Sequence, residues 1–288
     1  MYTAVTPRVI EMKRFLLIVA VLCAPAAFAA VEYDFHQMTT SEIEQIPSTD
    51  LTARAVIDGD RTRVDFVGGT AYPPGTYVIS NNGSRTLVFV DPQSKSFTEV
   101  NVAAAAASIG SSKILIENSK SNFEMLDDHP IVAGYPTDHY RMTVTYEMTV
   151  NLGALPLKQF VRTIVDKWTT SAFGEVGETF LSGHGVKTGN PKIDDLMDEE
   201  TAKVKGLALK QRVEITTTNR NGQLPDTKLK LSPTRKQTRD FLVTAIRRID
   251  AESASFNVPA AFHKSDPREG NVQPAKIHML SLEPPASK

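Results

Sequence analysis

From His139 to Val150 the chain alternates without a break. Tyr140, Met142, Val144, Tyr146, Met148 and Val150 are apolar, while His139, Arg141, Thr143, Thr145, Glu147 and Thr149 between them are polar. Side chains of a β-strand point to opposite faces in turn, so this run has one dry face and one wet face. At about 3.3 Å per residue it spans roughly 40 Å, longer than most strands. Alternation this clean predicts an antiparallel sheet wetted on one side, because parallel strands tend to be apolar on both faces. The stretch reads as the long central strand of that sheet.

The same period recurs along the chain. Tyr33 and Phe35 alternate with Glu32, Asp34 and His36, and the polar run Thr39 to Asp50 reads as a loop or short helical turn. Leu51, Ala53, Ala55 and Ile57 share one face. Asp58-Gly59-Asp60 then turns the chain into Thr62, Val64 and Phe66, which predicts a β-hairpin. Strands follow at Thr76–Ser80, Arg85–Val90 and Ser96–Val102, separated by Asn82-Gly83 and Asp91-Pro92 turns. Ala103 to Ala107 is helix-prone. Ile114–Glu117 and Ser121–Leu126 read as extended. Asp127-Asp128-His129-Pro130 and Gly134-Tyr135-Pro136 read as breakers.

After the central strand, Leu157 to Thr169 continues in strand period, with Val161, Thr163 and Val165 opposite Phe160, Arg162, Ile164 and Trp168. A glycine-rich loop then leads to Asn190-Pro191, an N-cap and first helical residue. The helix Pro191 to Lys205 carries Ile193, Leu196, Met197 and Val204 as its apolar stripe, and Gly206 ends it. Leu207, Leu209, Val213 and Ile215 form another long strand. Leu229 with Leu231, and then Phe241 to Ile249, supply the last ones. The polar, proline-rich segment 265–288 reads as a loose tail. The fold class is mainly β, or β-rich α+β, with ten to twelve strands in one domain over residues 30–264. A twisted open sheet curled over its helices and a closed barrel both fit that count.

Composition adds a compartment. Lys13-Arg14, the apolar run Phe15–Leu22 and Ala27-Phe28-Ala29 have the three-part form of a secretory signal spanning 1–29, with Met12 as the natural start. The apolar run is too short to cross a membrane, which takes about 20 residues. Cys23 is the chain's one cysteine and follows Leu22 where a lipid-anchor site wants a small residue, so an unlipidated exported protein without disulfides is expected. A net charge of −1 gives no electrostatic case for nucleic acid or anionic lipid surfaces.

Catalytic chemistry finds little support. No metal-binding histidine spacing, phosphate loop or nucleophile elbow occurs. Asp127-Asp128-His129 and Asp138-His139 set carboxylates beside imidazoles, but at breakers, where turn roles are the default. Ser182-Gly183-His184-Gly185 reads as a flexible loop. Tyr140, Met142, Val144, Tyr146, Met148 and Trp168 remain as ligand-binding candidates. Met and aromatic residues at strand period fit core packing, and they also fit a cavity that remoulds around an acyl chain.

Several local motifs resemble the bacterial lipoprotein-carrier superfamily of the LolA, LolB and LppX type. They are Leu87-Val88-Phe89-Val90-Asp91 with Lys95-Ser96-Phe97-Thr98-Glu99, the run Gly134 to Tyr140, Val165-Asp166-Lys167-Trp168, and Ala254 to Phe262. In the last, Ala261 stands where such domains have glycine. The whole is also similar to a family of uncharacterised envelope proteins of that fold, over about residues 31 to 263. The resemblance implies an unclosed half-barrel whose concave apolar face is covered by helices and holds acyl chains, lipids or regulatory peptides. It brings no catalytic residues, cofactor or metal. The expected function is a non-enzymatic envelope protein of the periplasm or outer-envelope space. It would bind a lipid or lipoprotein acyl chain, with Ile193, Leu196, Met197 and Val204 as a lid. The rival is a structural or regulatory interaction module with a filled core and an envelope protein partner.

Overall fold

A computed structural model describes residues 30–42, 47–105, 114–152, 155–174, 176, 179, 191–220, 234–250 and 256–265. The signal-like segment, Ser182 to Gly185, Asn190, Leu229 with Leu231, and 266–288 lie outside these residues.

Twelve strands form one unclosed sheet. Its order is β14 (His263–Lys264), β6 (Ser96–Asn101), β5 (Thr86–Asp91), β4 (Tyr77–Ser80), β3 (Arg61–Gly69), β2 (Thr49–Asp58), β1 (Ala30–Ser41), β13 (Thr234–Ile249), β12 (Leu207–Asn219), β11 (Leu155–Thr170), β10 (Asp138–Leu152) and β7 (Ile114–Leu126). Every pair is antiparallel except β14 with β6. Two meanders thus leave β1 and β13 in opposite directions, and those strands join near the middle. The alternating stretch that begins at His139 is therefore one strand from the edge β7, and β1–β13 takes the central place expected for it.

The β2–β3 hairpin and the β10 alternation form as their patterns require. Other elements differ from the sequence reading. β1 runs on through Thr39 and Thr40, because β13 supplies ladder partners for those polar residues. The two extended pieces before the breakers are one strand, β7, irregular near Asn118, which has φ 54°. The breakers themselves hold a second, two-stranded sheet, β8 (Ile131–Val132) and β9 (Tyr135–Pro136), turned by Ala133 and Gly134 at positive φ. Residues 102–105 make a single helical turn and α1 spans Pro191–Thr201.

Pleating gives the sheet two unlike faces. Outward-facing positions pair charges across strands, as in Asp34–Arg54, Glu32–Arg247 and Glu214–Lys236. The inner face buries Tyr33, Phe35, Ala53, Ala55, Phe66, Phe89 and Phe241. Tyr72, Val132, Tyr135, Phe173 and Val176 pack onto this layer, so the β8–β9 hairpin and two loops plug that part of the concavity. Tyr72 stacks flat on Phe66 at 4.1 Å. On β4–β6 the outer face is buried as well. Tyr77, Ile79 and Val90 pack with Val258 and Phe262 from the carboxy-terminal segment. There Ala261 sits in a turn closed by the Phe262 N–H donating to the Pro259 carbonyl, and it needs no left-handed backbone.

Candidate functional site

Cross-strand register places the β10 side chains. Met142, Val144 and Tyr146 face Val165, Thr163 and Val161 of β11, and Val165 and Thr163 in turn face Val213 and Ile215 of β12. With Ile116 and Met148 these apolar residues form a second cluster on the inner face, separate from the plugged one. Val144 and Met148 are 1% exposed and Met142 8%. Burial pushes the Tyr146 hydroxyl up to about 12.

Beside this cluster, α1 packs against β7. Leu196 and Val204 are half-buried, and the side chains of Ile193 and Met197 lie outside the described residues. The helix stops at Thr201, four residues short of the expected end at Lys205, so Val204 lies beyond it and Gly206 is not its cap. Gly206, at φ 85°, sits so close to the sheet that an added Cβ would lie 2.6 Å from the Thr170 carbonyl oxygen. Thr169 Oγ1 donates to the Lys205 carbonyl at 2.5 Å, and Lys203 Nζ lies 5.6 Å from the centre of the Phe123 ring, itself stacked with Tyr140. This connection lies over the β7–β10 end of the inner face. Tyr140, buried, has its hydroxyl raised by burial first and by Asp138 second.

Trp168 is not part of the Met142–Met148 group. It pairs with His139 rather than with Tyr140, and its ring stacks on the imidazole at 4.1 Å. His139 Nδ1 lies 2.6 Å from Asp128 Oδ1 and Nε2 lies 3.1 Å from Asp166 Oδ1. Arg141 donates twice to Asp166, at 2.7 and 3.1 Å. The hydrogen bond from His139 holds the Asp128 carboxyl below its ordinary range, with the Trp168 indole N–H adding to it. An imidazole with both nitrogens engaged by carboxylates has none left to take a proton from a substrate. The arrangement pins the 127–130 segment to the sheet. His129, from the same breaker, lies exposed beside Asp138.

The residues that sequence reasoning passed over form a polar seam on the inner face. One cross-strand row runs Tyr140, Lys167, Gln211, Phe241, Gln37, Leu51, and the next places Arg239 between Val213 and Thr39. Lys167 is 6% exposed and Gln211 4%. Burial first, and the like charge of Arg239 second, bring the Lys167 amine down to about 7. Burial also lowers Arg239. The Oε1 atoms of Gln37 and Gln211 are buried without a hydrogen-bond partner among the described residues. The signal for this seam was phase. Lys167 follows Val161, Thr163 and Val165 at strand period, and Arg239 precedes Phe241 and Val243 in the same way.

The chain matches no protein-family model and no curated protein. Among solved structures it is similar to a LolA superfamily protein from Nitrosomonas europaea. Identity is 11%, the match covers 80% of this chain and 90% of the other, and the TM-score is 0.31. A second similar structure, of lipovitellin and its lipid–protein interactions, has 9% identity, 78% and 26% coverage, and a TM-score of 0.27. Among the described residues no helix is long and apolar enough to cross a membrane, and no group of His, Cys, Asp and Glu is placed to hold a metal ion.

Proposed function

We propose that this chain is an exported, non-enzymatic protein of the bacterial envelope that binds an acyl chain or similar apolar ligand. The binding surface is the inner face of β10–β12. The supporting observation is the division of that face into two apolar clusters of different make. One is a layer rich in aromatic rings, plugged by a hairpin and loops. The other is a strip of Met142, Val144, Tyr146, Met148, Val161 and Val165. Unbranched methionine fills irregular space and repacks around guests of varied shape. Strands Asp138–Leu152 and Leu155–Thr170 are long enough to lie along a whole acyl tail.

Near-complete burial of Val144 and Met148 favours the second reading, an interaction module whose concavity is filled by its own side chains. Native mass spectrometry of protein purified from the envelope separates the two. The carrier reading expects added mass of an acyl species that is lost on delipidation. The interaction module expects the bare chain alone. Sequencing the mature amino terminus tests export, with cleavage expected after Ala29; an acylated Cys23 at that terminus would contradict it.

A further inference from the structure

The breaker between β7 and β10 folds into a small closed unit. Both the amide and the hydroxyl of Thr137 donate to the Pro130 carbonyl, at 3.1 and 2.7 Å, and β8 pairs with β9 beyond that neck. The unit lays Val132 and Tyr135 on the ring layer, with Tyr135 against Phe173. At its base the carboxylate of Asp128 reaches His139 at the start of β10. The geometry there sets a charge state. One imidazole nitrogen lies 2.6 Å from an Asp128 oxygen and the other 3.1 Å from an Asp166 oxygen. An ionised carboxylate only accepts, so both nitrogens must donate, which takes the imidazolium. The two acceptors are unequal. Asp166 is 9% exposed and keeps two donors from Arg141, whereas Asp128 is 56% exposed and can turn to water.

We propose that His139 is a charge-dependent latch that holds the β8–β9 hairpin closed over the ring layer and frees it when the imidazole loses a proton. A neutral imidazole keeps one N–H. The buried Asp166 claims it, since an acceptor sheltered from water costs more to leave unmet than an exposed one. The bare Nδ1 then faces Asp128, whose carboxylate turns to solvent. The other charges nearby are engaged elsewhere. Glu124 of β7 bears on Arg141, and Arg212 of β12, opposite Asp166, lies 3.6 Å from Asp240. Lys210 of β12 sits 4.2 Å from the centre of the Trp168 ring, while Asp127 and Asp138 face His129. Trp168 couples latch to plug, because it stacks on His139 and belongs to the same apolar layer as Val132 and Phe173. Release of the hairpin uncovers that layer, whether or not the Met142–Met148 strip carries a ligand.

Trp168 is the chain's one tryptophan, so its fluorescence reports on the latch directly. The test follows that fluorescence and the hydrogen exchange of residues 130–137 in the full chain from about pH 5 to about pH 9, where histidine titrates. Asp128, held below the ordinary carboxylate range by His139 first, stays charged across that span. Exchange, corrected for its intrinsic rise with pH, should increase about tenfold in one step, as expected for loss of a charge-assisted hydrogen bond. Trp168 emission should change with the same midpoint. His139→Phe keeps the stack but loses both donors, so it should exchange fast at every pH. Asp128→Asn, at an exposed site, should lose the step, and His129→Gln should leave it intact. An unfolding curve for each variant separates opening of the hairpin from loss of the fold. Protection of 130–137 that ignores pH in wild type would overturn the latch. So would a step that survives Asp128→Asn or vanishes with His129→Gln.

Discussion

The two halves of the inner face are built from the same strand geometry but from different side chains. In the β1–β3 and β13 half, Tyr33, Phe35 and Phe241 meet ring to ring at 5.0–6.5 Å, and small residues such as Ala53 and Ala55 leave room for them. Large and small alternate there, and a hairpin and loops close over the layer. In the β10–β12 half, Met, Val and Tyr stand side by side, and the described neighbour at the edge is α1 with its connection. A jigsaw of rings specifies one packing, whereas a methionine strip accepts several. On this contrast the first half is expected to carry more of the fold's stability, and the proposed guest belongs on the second.

The largest effect expected from this contrast is on the ring cluster. Phe35→Ala should cost about 3–5 kcal/mol in denaturant unfolding, because a plugged aromatic layer cannot collapse into the hole. A loss under about 1 kcal/mol would mean that the packed half is not the stabilising one.

The seam comes next. The Lys167 amine sits near 7 when folded and near 10.5 when unfolded, so between these values the unfolded chain binds more protons. Stability from this group therefore rises as pH climbs from about 7 toward 10.5 and is at its lowest below 7. Lys167→Met should remove that part of the slope. Unchanged slopes in paired unfolding series from pH 6 to 10 would place the amine in water instead.

Two glycines test whether the halves unfold together. Gly69, at φ 101° with an added Cβ 2.4 Å from the Asp50 carbonyl oxygen, belongs to the packed half, and Gly206 lies against Thr170 of the other. Gly69→Ala and Gly206→Ala should each cost about 2 kcal/mol or more from left-handed strain and backbone collision. Under one cooperative transition both shift the same midpoint. A separate early transition for Gly206→Ala alone would make the second half an independent unit. The smallest change is expected from Met148→Ala, under about 2 kcal/mol when measured without ligand, since a strip that repacks forfeits less. A loss of 4 kcal/mol would mark it as dense core.

Local pattern made much of this architecture legible. The β2–β3 hairpin is written in Leu51 to Phe66 and β10 in its unbroken alternation, because strand period follows directly from pleating. What local pattern could not carry was long-range partnership. That β1 pairs with β13, more than two hundred residues away for Glu32 and Arg247, depends on the whole topology, so the middle of the sheet was misplaced. The extension of β1 through Thr39 and Thr40 was hidden for the same reason. The His139–Asp128–Asp166 arrangement joins residues from β10, β11 and a breaker, so no local motif announces it. The seam is a different case. Lys167 stands in phase with Val161, Thr163 and Val165, and a charge in phase with a dry face is a visible exception that propensity arguments smooth over.

The most direct test of the central claim is to map where an acyl chain lies. A fatty acid carrying a photoreactive diazirine on its tail, bound to the protein and irradiated, leaves its mark on the residues it touches. Peptide mass spectrometry should find the label within residues 140–150 and 161–165, at Met142, Tyr146 or Met148 first. Label concentrated on β1–β3, on the outer face, or nowhere above an unfolded control would contradict the account.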